Sequence, residues 1–107
     1  MNRIVSVYAT FASDEEAQRI GRACVGERLA ACVNIIGPCR SIYRWRGEIE
    51  EAGEVVALFK TSGGRAEALI ARIAELHSYD VPAAVVWPIA YALRDYASWV
   101  DEETGGS

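Results

Sequence analysis

The sequence predicts an α+β sandwich with the element order β-α-β-β-α-β, closed by a short terminal helix. Three observations carry this prediction. Strand-like apolar segments recur along the chain, stretches of helical apolar spacing separate them, and glycine or proline marks most of the junctions. With 107 residues and 51% apolar content there is material for one core, so a single domain over 1–107 is expected.

Ile4 to Thr10 is rich in β-branched and aromatic residues and is expected to be a strand. Ser13 precedes Glu16 by three positions, the capping-box spacing that satisfies free N–H groups at a helix start. The helix behind it repeats Ala17, Ile20, Cys24 and Val25 on one face, with Glu15, Gln18, Arg19 and Arg22 on the other. Gly21 and Gly26 each weaken a helix by about 1 kcal/mol against Ala, which points to close packing as their reason.

Ala31 to Arg46 is strand-like throughout and is interrupted by Gly37-Pro38, where a bulge, bend or unpaired edge is expected. A turn at Gly47 leads into a returning strand that runs to Lys60. Ser62-Gly63-Gly64 opens a second helix with the stripe Ala66, Leu69, Ile70, Ile73 and Leu76, ending near His77. Val81-Pro82 forbids its continuation. Ala83 to Trp87 is continuous and apolar, so an interior strand is expected there. Tyr91 to Val100 reads as the terminal helix with Tyr96, Trp99 and Val100 inward, and Glu102 to Ser107 as a frayed polar tail. This order is the split βαβ pattern of the ferredoxin-like sandwich, two helices on one face of an antiparallel sheet.

The hairpin argues against a monomer. A strand of about 16 residues spans about 53 Å, whereas a compact domain of this size is roughly 35 Å across. The arm must project or fold back at Gly37-Pro38. Its outer half carries Ile42, Tyr43, Trp45 and Ile49, and an apolar two-stranded ribbon invites pairing. A homo-oligomer of closed symmetry is expected, with Tyr43, Trp45 and Ile49 in its interface and Cys32 packed at the core or the interface.

Composition excludes several functions. Charged residues are 24% and balanced, the net charge is −4, and the arginines form no basic tract. Neither nucleic acid nor an anionic membrane is an expected partner. No apolar run approaches the ~20 residues of a membrane span. Met1-Asn2-Arg3 leads into no signal-peptide pattern, and the three cysteines fit no complete disulfide framework. A cytoplasmic protein with free thiols is expected. The absence of P-loop, G-x-S-x-G, G-x-G-x-x-G and HExxH motifs, with a single histidine, argues against an enzyme.

Four segments resemble one family. Glu27-Arg28-Leu29-Ala30-Ala31-Cys32-Val33-Asn34 is similar to the CutA signature ERLAACVN, and Ser41 to Gly47 resembles its S-I-Y-x-W-x-G segment, followed by Glu54 and Lys60-Thr61. Leu76-His77-Ser78-Tyr79-Asp80-Val81-Pro82 is similar to LHPYEVP, and Tyr96 to Glu102 to the terminal Y-x-x-W-x-D-E pattern. The resemblance implies a homotrimeric, PII-like architecture in which the long hairpin, bent at Gly37-Pro38 in our reading, embraces a neighbouring subunit, and a role in tolerance of copper and other divalent cations. It also implies His77 as a metal ligand, together with a first-strand cysteine that this chain lacks, having Tyr8, Ala9, Thr10 and Phe11 there.

Weak binding of Cu(II) or another divalent cation is therefore expected, at His77 with Asp80 three residues on and with Cys39 as the thiol nearest the bend. The competing reading of His77 is a hydrogen-bonded residue that compensates the helix dipole. Lys60 and Arg65 could instead hold an anion in a PII-like sensor, or Lys60 could pair with Glu54 or Asp80. A trimeric adaptor that binds another protein is the third alternative.

Overall fold

The computed structural model describes residues 3–105, so Met1-Asn2 and the Gly106-Ser107 end of the polar tail lie outside the described residues. The elements are β1 (Ile4–Phe11), α1 (Asp14–Gly26), β2 (Cys32–Trp45), β3 (Glu48–Ser62), α2 (Ala66–Leu76), β4 (Ala84–Pro88) and α3 (Arg94–Glu103). A single 3-10 turn, Gly63–Arg65, leads into α2. The sheet is antiparallel with strand order β2-β3-β1-β4, the ferredoxin-like arrangement.

Val7, Ala9 and Phe11 alternate along β1 and meet Ala57 and Phe59 of β3 in one buried cluster. Ala17, Ile20 and Cys24 of α1 and Leu69 and Ile73 of α2 close it from above. Each of the larger side chains contributes about 1.5–3 kcal/mol by leaving water. A methyl on Gly21 would stand 2.9 Å from Val33 Cγ1, so the helix reaches the sheet only because this residue has no side chain. Gly26 has open space around it, and packing does not explain that glycine.

The expected capping box forms in a shifted version. Ser13 Oγ accepts from the Glu16 N–H at 3.1 Å, and Glu16 Oε1 accepts from the Ala12 N–H at 3.0 Å.

The hairpin projects. Its ladder continues to the Trp45–Glu48 pair, and the molecule extends 45 Å along its long axis. Arg46 and Gly47 form the turn with φ of 52° and 84°, the two-residue geometry that matches strand twist. The interruption predicted at Gly37-Pro38 is a bulge, with Ile36 the extra residue between the Ile35–Ala57 and Gly37–Val56 pairs.

Several expectations need correction. β4 is an edge strand, bonded to β1 alone, and Val85, Val86 and Trp87 are exposed rather than interior. An apolar run is interior only where strands flank it on both sides, and β4 has β1 on one side alone. Val25 is exposed because α1 ends beside it, where Arg28 turns left-handed at φ 62°. α3 starts at Arg94, and Tyr91 is exposed because no apolar surface lies over it. Val100 of α3 is buried with Ile4 and Ala31, Tyr96 is half-buried, and Trp99 stays 41% exposed.

The tail is anchored as far as Thr104. Its hydroxyl bonds Ser62 Oγ at 2.8 Å, and its carbonyl accepts from Arg65 Nε at 2.8 Å. Two polar anchors hold what composition alone marks as frayed.

Candidate functional site

The bulge decides which side chains share a face. Before it, Cys32 and Asn34 lie on the sheet face away from α1 and α2, while Val33 and Ile35 pack against the core. The extra residue shifts the alternation by one. Beyond it Cys39, Ser41, Tyr43 and Trp45 occupy that same open face, cross-strand from Glu54, Ala52, Glu50 and Glu48. Tyr8 and Thr10 extend the face across β1.

α3 covers the end near Ile4 and Ser62 and leaves the hairpin end open. There the loop after α2 brings Tyr79, Asp80 and Val81 against the hairpin and encloses a cleft of about 510 Å³. Its aromatic wall is Tyr8, Tyr43, Trp45 and Tyr79, and its carboxylates are Glu50, Glu54 and Asp80. Among the described residues no lysine or arginine lines it.

His77 holds that loop in place. Its Nε2 lies 2.8 Å from the Thr10 carbonyl, and its Nδ1 lies 3.1 Å from the Tyr79 amide nitrogen. A carbonyl only accepts and an amide N–H only donates, so the proton sits on Nε2 and the ring is the neutral tautomer. The ring is stacked on Phe11 at 5.1 Å and its side chain is fully buried.

Glu16 Oε2 lies 4.0 Å from Nδ1 and accepts from the Ser78 N–H at 2.8 Å. Burial opposes the charge of Glu16, but hydrogen bonds from Ala12 and Ser78 outweigh it and hold the carboxyl below its usual range.

Glu54 is the pivot of the cleft. One carboxylate oxygen accepts from Ser41 Oγ and the other from the Tyr79 hydroxyl at 2.9 Å. Both donors are neutral, so the charge is solvated but not cancelled. Burial, with the Glu54 carboxylate next, pushes the Tyr79 phenol up to about 12.

The residues singled out from sequence are distributed as follows. Asp80 lines the cleft and His77 stands behind it with both nitrogens in use. Cys39 is half-buried, paired across the ladder with Glu54, its Sγ 3.9 Å from Ser41 Oγ. Among the described residues no group of three or more His, Cys, Asp or Glu side chains is disposed to hold a metal.

Lys60 donates to Asn34 Oδ1 at 3.1 Å, and Arg65 is bound to the Thr104 carbonyl, so the structure gives these two cations separate partners. Neither Glu54 nor Asp80 is the partner of Lys60. Tyr43, Trp45 and Ile49 are exposed on the hairpin, and Cys32 is half-buried with its Sγ 3.5 Å from the Tyr96 hydroxyl. Thr10, Ser41, Glu50 and Tyr79 were not singled out from sequence as site residues. A period-two count restarted after Gly37-Pro38 would have grouped Ser41 and Tyr43 with Glu54.

A family model described as CutA1 divalent ion tolerance protein matches residues 5–103. The chain belongs to the CutA1 divalent ion tolerance family. It is 46% identical over 99 residues to the divalent-cation tolerance protein CutA of Thermus thermophilus, covering 92% of this chain and 96% of that protein. The solved structure of the divalent cation tolerance protein from Thermus thermophilus superposes with a TM-score of 0.92 at 45% identity, over 95% of this chain and 99% of that one. A structure described as the periplasmic divalent cation tolerance protein CutA from Archaeoglobus fulgidus gives 0.91 at 35% identity, over 94% and 98%. The CutA1 family name carries a role in divalent cation tolerance, and the four sequence segments that suggested it fall within the matched span.

Proposed function

We propose that this chain serves divalent cation tolerance as a non-enzymatic homotrimer that holds Cu(II) or a comparable cation weakly at the hairpin cleft. The observation that carries the reading is the charge of the cleft, lined by Glu50, Glu54 and Asp80 with no lysine or arginine. Carboxylate oxygen suits Cu(II) and harder divalent ions, while soft Cu(I) needs thiolate or thioether. Cys39, across from Glu54, is the thiol closest to this set. His77 supports the site by positioning the loop, because both of its nitrogens already bond backbone groups.

The described residues of one chain do not assemble a closed donor set, so binding is weak unless three-fold symmetry gathers copies of the same carboxylates. The trimer is supported by the two uncapped sheet edges, β2 and β4, and by Ile42 and Ile49 at 67% exposure each. A cytoplasmic setting is supported by three unpaired thiols.

Calorimetric titration of the purified oligomer with Cu(II) tests the metal reading. Asp80→Asn with Glu50→Gln should weaken the signal severalfold. A signal unchanged in that double variant, or none in the parent at millimolar copper, overturns it.

A further inference from the structure

We infer that the open sheet face is an interface between copies of this chain, closed by a charge pair in which Glu54 of one protomer meets Lys60 of the partner subunit. The pair belongs to the homotrimer proposed above and rests on that reading, not on its metal.

The face is electrically lopsided. Along β3, Glu48, Glu50 and Glu54 lie on it toward the turn, and Lys60 lies on it at the far end. Lys60 is the only lysine of the chain, and the two arginines of the hairpin strands, Arg40 and Arg44, alternate onto the opposite face.

Neither charge is cancelled within the chain. Glu54 is half-buried, and its two oxygens accept from the neutral hydroxyls of Ser41 and Tyr79. Lys60 is also half-buried, and it donates to the neutral amide oxygen of Asn34 at 3.1 Å. Among the described residues neither takes part in an ion pair. Six residues of strand hold them about 20 Å apart, so they do not meet in one chain.

A second copy answers both. The exposed Tyr43 and Trp45 make this face one that association covers, and covering it takes both charges further from water. A buried ion without a counter-charge is strongly disfavoured. Opposite charges at the two ends of one face complement the same face of another copy, and closed symmetry repeats the contact at every interface. Glu54 is the carboxylate that needs this partner, being half-buried and fixed in orientation, whereas Glu50 and Asp80 are exposed. The pair leaves those two for the metal reading, which is tested on them.

A double-mutant cycle on metal-free protein tests the pair. Lys60→Met, Glu54→Gln and the double variant should be diluted in a fixed, sub-denaturing urea concentration and followed by light scattering, with circular dichroism confirming each fold. Either single change should raise the trimer dissociation constant at least about tenfold, as removal of one member of a buried charge pair does. The double variant should dissociate no more readily than the weaker single one. Positions about 20 Å apart that act separately give additive effects, so additivity overturns the pair, as does assembly that neither change weakens. Mixing gives an independent readout. Lys60→Glu and Glu54→Lys chains, each dissociating alone, should co-assemble when combined, and failure to do so also overturns the pair. A monomeric parent removes the trimer and the pair together, whereas a trimeric parent with additive variants removes the pair alone.

Discussion

The hydroxyl of Tyr79 donates to Glu54 Oε2 at 2.9 Å, joining the loop after α2 to the projecting hairpin. Tyr79→Phe keeps the ring and removes only this bond. A hydrogen bond to a charged acceptor contributes about 1.5–3 kcal/mol, and half-exposure places this one at the lower end. Chemical denaturation should show a loss of about 1–2 kcal/mol.

The same bond carries a pH signature. The folded phenol titrates near 12, above its ordinary value of 10. The folded state therefore holds its proton longer than the unfolded chain, so the stabilisation is whole below pH 10 and is lost as pH rises toward 12. Ultraviolet titration should show a late tyrosinate step that Tyr79→Phe removes. Tyr96, also raised to about 12 by burial and by Cys32, supplies a second late step that remains.

Glu16 acts at the opposite end of the scale. Its folded carboxyl lies below the ordinary 4.5, so its contribution is present above pH 4.5 and is lost as pH falls through the folded value. Thermal melts between pH 3 and pH 6 should show a steeper acid loss in the parent than in Glu16→Gln. At pH 7 that variant should be less stable by about 1–2 kcal/mol, since the amide accepts more weakly from Ala12 and Ser78.

The two glycines of α1 should respond with opposite signs. Gly21→Ala drives a methyl to 2.9 Å from Val33 Cγ1 and should cost about 1–3 kcal/mol. Gly26→Ala meets nothing within 4 Å and should stabilise by about 0.5 kcal/mol through helix propensity and a less flexible unfolded chain. Paired urea melts of the two variants measure both signs.

Trp45→Ala tests the proposed assembly. Light scattering of the parent should give about three times the 11.7 kDa chain mass. Truncating an interface aromatic commonly costs about 2–4 kcal/mol, so the variant should dissociate at a higher protein concentration than the parent. A monomeric parent would remove the trimer from the proposal.

Much of this protein is local, and local order is legible in sequence. Ser13 and Glu16 announce the start of α1, Val81-Pro82 bars α2 from continuing, and Gly37-Pro38 marks the bulge, because capping, φ restriction and strand interruption act within a few residues. The alternation of Val7, Ala9 and Phe11 likewise identifies the core face of β1. Tertiary structure alone placed β4 at an edge, since an apolar strand reads alike whether protein or another chain covers it. It anchored Thr104 to Ser62, and it joined Tyr79 to Glu54 and His77 to Thr10, pairs distant in the chain. Hydrogen bonds of that kind leave no periodicity, because they depend on where strand order and bulge bring two side chains in space. The availability of His77 was decided in the same way: its residue type suggested a ligand, and only its two backbone partners showed that both nitrogens are in use.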